Sequence, residues 1–397
     1  MQPLAVTDYT LVSALGAGCA ANFEALVAGR SGLAQHDFET ARLGTWVGIV
    51  DGLDELRLPP ALAAWDCRNN RLAHAGLQAD GFAARVARAA ARWGAARVGV
   101  FVGTSTSGIL HTEVAYRQRD PATGALPAWL DYAKTHNTAS VARFVRAALG
   151  LAGPAFVVST ACSSSAKAYA TAARMIALGL VDAALVGGVD SLCMTTLYGF
   201  RSLELVADDI CRPWDAERSG LSIGEAAAFA LLERTPPPGT PPRAWLLGTG
   251  ESSDGHHMSA PHPEGAGAAL AMRAALADAA LAPAAVGYLN LHGTATPGND
   301  AAEDRAVRSV FGTAAACSST KGYTGHTLGA AGAVEAAITM LALEQGWLPP
   351  TLNLRRPDPA LTLPVLRTPL ARRVRVAASN SFGFGGSNAC LVLGAAA

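Results

Sequence analysis

The chain is poor in charge and has no excess of either sign. Only 16% of its 397 residues are Asp, Glu, Lys or Arg, and Lys plus Arg equals Asp plus Glu at 31 each. That balance gives no global electrostatic footprint for nucleic acid or for an anionic membrane. Seven cysteines (19, 67, 162, 193, 211, 317 and 390) are scattered and never fall at CxxC spacing, which argues against a zinc knuckle or a thioredoxin-like pair. They read as reduced thiols. Uninterrupted apolar runs long enough for a membrane are missing too, because stretches such as 268–285 carry Arg273 and Asp278. The first residues, Met-Gln-Pro-Leu-Ala-Val-Thr-Asp, lack the basic start and apolar core of a signal peptide, so the expectation is a cytoplasmic protein.

What is plentiful is small and apolar: half the residues are hydrophobic and 41 are glycine. Short β-rich runs (97–102, 155–158, 183–186 and 226–232) alternate with alanine-rich runs that read as helices (81–93, 163–178 and 332–344). This alternation predicts an α/β architecture with helices covering both faces of the sheet. Five prolines within Arg234–Arg243 mark a surface connection between two halves, 1–235 and 244–397. Each half contains a strand, a Ser/Thr-rich turn and a small-residue helix, over 157–173 and 316–339. Each also has a Gly-Gly pair read as a turn, Gly187-Gly188 and Gly385-Gly386. A duplicated fold is the expectation.

Three residues stand out from the cysteines and histidines. Cys162 lies in Ser-Thr-Ala-Cys-Ser-Ser-Ser, just past an apolar strand and at the mouth of a helix. A helix N-terminus favours an anion there, and the expectation is a thiol lowered from about 8.5 into the range of about 3.5–7.5. His292 follows a short strand and precedes Gly-Thr-Ala-Thr; His326 sits between Gly325 and Thr327 at the head of an alanine-rich helix. A nucleophilic thiol with two imidazoles points to covalent acyl chemistry. Lys321 and Glu335 are read as a buried ion pair bracing the His326 loop, since a buried charge persists only when paired. The loop Asn380-Ser-Phe-Gly-Phe-Gly-Gly-Ser-Asn388 offers backbone N–H groups for an oxyanion and two phenylalanines that could gate a tunnel. His256, His257 and His262 are at most pocket lining. Gly220-Leu-Ser-Ile-Gly224 matches a hydrolase nucleophile elbow, but a strand rather than a helix is expected after it, and it is rejected.

These motifs together make the chain resemble the elongating β-ketoacyl-acyl-carrier-protein synthases: Thr-Ala-Cys162-Ser-Ser-Ser, His292-Gly-Thr-Ala-Thr, Lys321-Gly-Tyr-Thr-Gly-His326 and Gly383-Phe-Gly-Gly-Ser-Asn388. The resemblance implies a thiolase fold, five layers αβαβα built from two related halves. It implies a homodimer, with a heterodimer left open, and acyl carrier protein as partner. No cofactor is implied beyond the phosphopantetheine arm that carries the substrates. By the same resemblance Cys162 takes the acyl group, and His292 and His326 promote loss of CO2 from the malonyl thioester. Lys321, Glu335 and Asp300 support them. The backbone of Cys162 and Phe384 forms the oxyanion hole. Thr294 and Thr296 hold the phosphopantetheine arm, Phe382 and Phe384 form the gate, and Thr106 stands near the limit of the acyl pocket. Arg68 and Arg71 are the expected docking patch for an acidic carrier. Two histidines separate the pattern from the initiating branch, and Cys390, followed by Leu-Val-Leu, separates it from thiolases. The intact Cys162 argues against a non-catalytic chain-length factor, although a partner subunit of a heterodimer stays open as the alternative. The serines at 163–165 look more like those of polyketide enzymes than of housekeeping fatty-acid synthases.

Overall fold

A computed structural model describes residues 1–396. The secondary structure follows the sequence pattern to within a few residues. The strands that position the site are β1 (Leu4–Ser13), β2 (Val98–Gly103), β3 (Ala155–Val158), β4 (Ala183–Asp190), β5 (Ala226–Glu233), β6 (Ala244–Ser253), β7 (Tyr288–Asn290), β8 (Ala316–Ser318), β9 (Val376–Gly383) and β10 (Ser387–Ala395). The helices that cover them are α1 (Arg68–Gln78), α2 (Phe82–Trp93), α3 (Ser140–Ala148), α4 (Ser164–Ala177), α5 (Ala266–Asp278), α6 (Pro297–Phe311) and α7 (Ala331–Gln345).

The strands run in the order β8-β7-β9-β10-β6-β1-β5-β4-β2-β3, with a short strand Gly16–Ala17 added beside β1. On one side of the β6–β1 join, β3, β2 and β4 are parallel, and β5 and β1 follow antiparallel. On the other side β8, β7 and β9 are parallel, and β10 and β6 follow antiparallel. Topology and strand direction are thus repeated. The two sets meet only where Leu4, Ala5 and Val6 pair with Leu246, Trp245 and Ala244.

Helices α4 and α7 pack between the two sets of strands, α1 to α3 cover one outer face and α5 with α6 cover the other. The result is αβαβα. Residues 331–343 of α7 are all buried, which explains why this helix is apolar on every side. Small residues let the central helices touch: a Cβ on Gly332 would lie 2.7 Å from the Ala166 backbone nitrogen. The Gly187-Gly188 pair corrects the expectation of a turn. It lies inside β4, where a Cβ on Gly188 would come within 2.6 Å of Ser165 on α4, so glycine is needed for helix–strand approach. Gly385-Gly386 does lie in the β9–β10 turn, at φ +76° and +72°. No helix of the described residues is long and apolar enough to cross a membrane.

Candidate active site

Cys162 is held in a tight elbow between β3 and α4. Ala161 before it takes φ +52°, a conformation that costs energy for a residue with a Cβ and is found where surrounding bonds impose it. Those bonds come from the serines. The Thr160 N–H donates to Ser164 Oγ at 2.9 Å, Ser163 Oγ donates to the Thr160 carbonyl at 2.9 Å, and Ser165 Oγ accepts the Ala333 N–H at 2.9 Å. The hydroxyl run therefore fixes the elbow and ties it to α7.

His326 is clamped by its backbone: its N–H donates to the Ser222 carbonyl at 2.7 Å and its carbonyl accepts the Gly224 N–H at 3.0 Å. Its Nε2 lies 3.0 Å from Cys162 Sγ. His292 stands at the end of β7, its ring edge-on to His326 with centroids 5.3 Å apart. The donor atoms of Cys162, His292 and His326 all lie within 4.8 Å of one another, and all three residues are buried.

Lys321 is fully buried and its Nζ meets three groups: Glu335 Oε1, the His292 carbonyl, and His292 Nδ1 at 3.3 Å. The ion pair expected from sequence is present, but the imidazole it braces is His292. An ammonium only donates, so Nδ1 must accept and the ring proton must sit on Nε2. Two acids that the sequence reading passed over complete the frame. Glu303, on α6, accepts the His292 N–H at 2.8 Å, the Gly293 N–H at 2.7 Å and Asn380 Nδ2 at 3.1 Å. Asp190, at the end of β4, accepts Thr104 Oγ1, the Ser105 and Thr106 N–H groups, and the Gly329 N–H three residues past His326. The one signal for Glu303 in the sequence is its place a turn after Asp300, with only Ala301 and Ala302 between them. Asp190 was detectable as a lone acid ending an apolar strand.

The electrostatics are those of a dry site. Burial, reinforced by the Lys321 charge, holds both imidazoles well below the usual histidine range, so they are neutral. Burial pushes the Cys162 thiol up to about 12, against the pull of Lys321 and of the Phe384 backbone N–H. This reverses the expectation of a depressed thiol. The helix end is present, but the sulfur beside it is buried, and desolvation dominates.

A cavity of about 170 Å³ opens onto these groups, lined by Cys162, His292, His326, Thr294, Thr296 and Phe382 among others. The Thr294 and Thr296 hydroxyls lie 2.9 Å apart. The Phe382 ring is 5.7 Å from His292, and Phe384 stacks on Phe200 at 5.4 Å.

Domain models described as the β-ketoacyl synthase N-terminal and C-terminal domains match residues 64–237 and 243–355. A 3-oxoacyl-[acyl-carrier-protein] synthase 2 of Vibrio cholerae is 34% identical over 98% of this chain and 97% of its own. The chain belongs to the β-ketoacyl synthase family. Nodulation protein E of Rhizobium meliloti is 41% identical over 75% of each chain. Among solved structures, a ketosynthase in complex with its chain length factor from Xenorhabdus doucetiae (ApeO with ApeC) matches at TM-score 0.90 and 39% identity, covering 99% of this chain and 98% of that one. A β-ketoacyl synthase from Burkholderia phymatum matches at TM-score 0.87 and 30% identity over the full length of both. The layered architecture is the thiolase fold of these synthases.

The remaining expected residues of this synthase fall in different places. Asp300 is buried, accepts the Trp214 N–H at 3.0 Å and lies 3.5 Å from Arg218 Nε; burial pushes its carboxyl up to about 6. Thr106 does not line the cavity: its hydroxyl and its N–H both bond Asp190 at 2.8 Å. Arg68 must be corrected. It is buried, with Nη2 at 2.6 Å and Nε at 2.9 Å from the two oxygens of fully buried Glu225, and Nη1 at 2.8 Å from Asp54. A charge neutralised inside the fold cannot steer an acidic partner. Arg71 is only part-exposed and is held in a two-pronged pair with Asp66 at 2.6 and 2.7 Å.

Proposed function

We propose that this chain condenses an acyl thioester with malonyl-acyl-carrier protein to give the 3-oxoacyl-carrier protein and CO2. The observation that carries the reading is a buried thiol 3.0 Å from one neutral imidazole, with a second imidazole edge-on to it at the same cavity.

In the first step the Cys162 sulfur attacks the acyl thioester carbonyl. His326 Nε2 takes the thiol proton and returns it to the departing phosphopantetheine thiolate. A proton handed over at the moment of attack suits a thiol that rests neutral. In the second step the malonyl thioester loses CO2, and the electron pair of the broken C–C bond forms an enolate. The Nε2–H of His292, fixed by Lys321, points at that oxygen; His326, whose Nδ1 has no partner among the described residues to hold its proton there, moves that proton to Nε2 once the thiol proton has gone and supplies a second N–H. The enolate carbon attacks the acyl-Cys162 carbonyl, and the Cys162 and Phe384 N–H groups receive the oxyanion. The sulfur leaves and takes up one proton from solvent, which balances the cycle.

Thr294 and Thr296 are the proposed contacts of the phosphopantetheine arm, and Phe382 with Phe384 the gate. Glu335 and Asp300 act through the groups they hold. We assign the halves 1–235 and 244–397 as the units carrying the nucleophile and the histidines, and a cytoplasmic setting, with no bound cofactor. A homodimer is the simpler assembly. A heterodimer with a chain-length partner is the second reading, favoured by the likeness to a ketosynthase solved with such a partner. Release of 14C-labelled CO2 from malonyl-carrier protein, dependent on an acyl primer and lost in both His292→Ala and Cys162→Ser, tests the assignment. CO2 release that survives the histidine change would overturn it.

A further inference from the structure

The trio Cys162, His292 and His326 has the donor set of a zinc site. One thiolate and two imidazoles with an open fourth position suit a tetrahedral divalent ion. Ideal bond lengths of about 2.3 Å to sulfur and about 2.0–2.1 Å to nitrogen put such donors some 3.3–3.6 Å apart. Here all three donor atoms fall within 4.8 Å, with sulfur and His326 Nε2 at 3.0 Å, so small side-chain adjustments would close the site. The other six cysteines of the chain are also buried, and none joins a cluster of this kind among the described residues.

The groups behind the histidines are the wrong ones for metal. A ligating imidazole must turn a lone pair to the ion and carry its proton on the other nitrogen, which is normally received by a carboxylate, a carbonyl or water. Behind His292 Nδ1 stands Lys321 Nζ at 3.3 Å, a group that only donates. Ligation through Nε2 would force an N–H against an ammonium. His326 Nδ1 has no acceptor behind it among the described residues. The positive field adds to this, because the Lys321 charge that discourages a proton on either ring acts twice as strongly on a dication.

We infer that Lys321, beyond steering His292, keeps divalent metal out of the Cys162–His292–His326 trio, which without that charge is a zinc site. The role rests on donor placement and is independent of the condensation reading. Metal entry would exchange the thiol proton for the ion (thiol plus Zn2+ giving Zn-thiolate plus H+) and would silence the nucleophile. Exclusion therefore keeps a thiol open that its own neighbours would otherwise convert into a chelate.

The experiment is titration with Co2+, whose thiolate charge-transfer band reports sulfur ligation, with Zn2+ competition for affinity. The wild type is compared with Lys321→Met/Glu335→Gln, which removes both charges of the pair together, and with Lys321→Arg, which keeps the cation. The expected result is a band in the double variant only, lost on adding Cys162→Ser, with zinc bound about 10–100-fold more tightly than by wild type. Cobalt on the exposed His256 and His257, or on the half-buried His262, would give no thiolate band. A wild-type band as strong as the variant's, or no band in a folded variant, overturns the inference. Should the variant not fold, the wild type decides: excess zinc that blocks alkylation of Cys162 contradicts exclusion, and an unchanged alkylation rate supports it.

Discussion

Lys321 Nζ lies 3.3 Å from His292 Nδ1 while also holding Glu335 and the His292 carbonyl. One buried cation thus sets the tautomer of an imidazole whose other nitrogen faces the cavity. In metal-free buffer, Lys321→Ala is expected to spare transfer of the acyl group to Cys162 and to depress loss of CO2 from the malonyl thioester, by about 10²-fold or more as for loss of an oriented donor. Single-turnover acylation and CO2 release, measured on one preparation, separate the two steps. Equal loss in both would show that the lysine acts only on the fold.

The thiol pH dependence runs opposite to that of an activated cysteine. Burial raises the Cys162 pKa to about 12, so the proton stays on sulfur as pH rises through 7 to 9. Alkylation by iodoacetamide is expected to keep rising beyond pH 9, whereas a free thiol levels off above about 8.5. The sign for stability follows: the unfolded thiol loses its proton first, so this group's contribution is complete below about 8.5 and declines as pH climbs towards 12. A plateau of alkylation below pH 8 would contradict the desolvated thiol.

Glu303 accepts N–H groups on both oxygens. Glu303→Gln turns one of those acceptors into a donor facing a donor, an unsatisfied buried contact worth about 1–3 kcal/mol. The expected outcome is a lowered melting temperature together with slower decarboxylation, since the displaced turn carries His292. An unchanged melting curve would remove Glu303 from the frame.

Arg68→Ala is expected to act on stability and not on carrier binding. It strands Glu225, which also accepts the Val50 and Leu192 N–H groups, and breaking such a pair costs about 3–5 kcal/mol. Thermal unfolding and the KM for carrier-bound substrate are the two readouts. A raised KM with an unchanged melting temperature would restore the docking role.

Gly383 lies where the gating loop passes the nucleophile. A Cβ there would meet the Thr160 carbonyl oxygen at 2.8 Å and the Cys162 nitrogen at 3.2 Å. Gly383→Ala should therefore push the Phe384 N–H off the sulfur and slow acylation while the layered core stays folded. Burst kinetics with an acyl-carrier substrate measure it, and a full-sized wild-type burst would count against the proposed oxyanion hole.

The sequence disclosed most where chemistry requires unusual residues. Cys162, His292 and His326 stand out because glycines and hydroxyls surround them, and the structure brings them to one cavity. The alternation of β-rich and alanine-rich runs is imposed by burial on both faces of each strand set, so the layers were legible as well. What stayed hidden depends on contacts distant in sequence. Gly187 and Gly188 look like a turn until α4 is seen against them. Arg68 looks like a surface charge until Glu225, 157 residues away, is seen to neutralise it. Asp190 and Glu303 carry only weak local signals, because the role of an acid that caps backbone N–H groups of another loop is recognised only once that loop is in place. The thiol pKa departs from expectation for a related reason: a helix start can be read from sequence, but the burial of the sulfur beside it cannot.

Intact-protein mass spectrometry after incubation with a panel of acyl-carrier proteins, beside Cys162→Ala, tests the central claim most directly. The account predicts a mass increase of one acyl group on the wild type and none on the variant. Acylation that persists in Cys162→Ala, or a wild type that takes up no acyl group from any carrier in the panel, would contradict it.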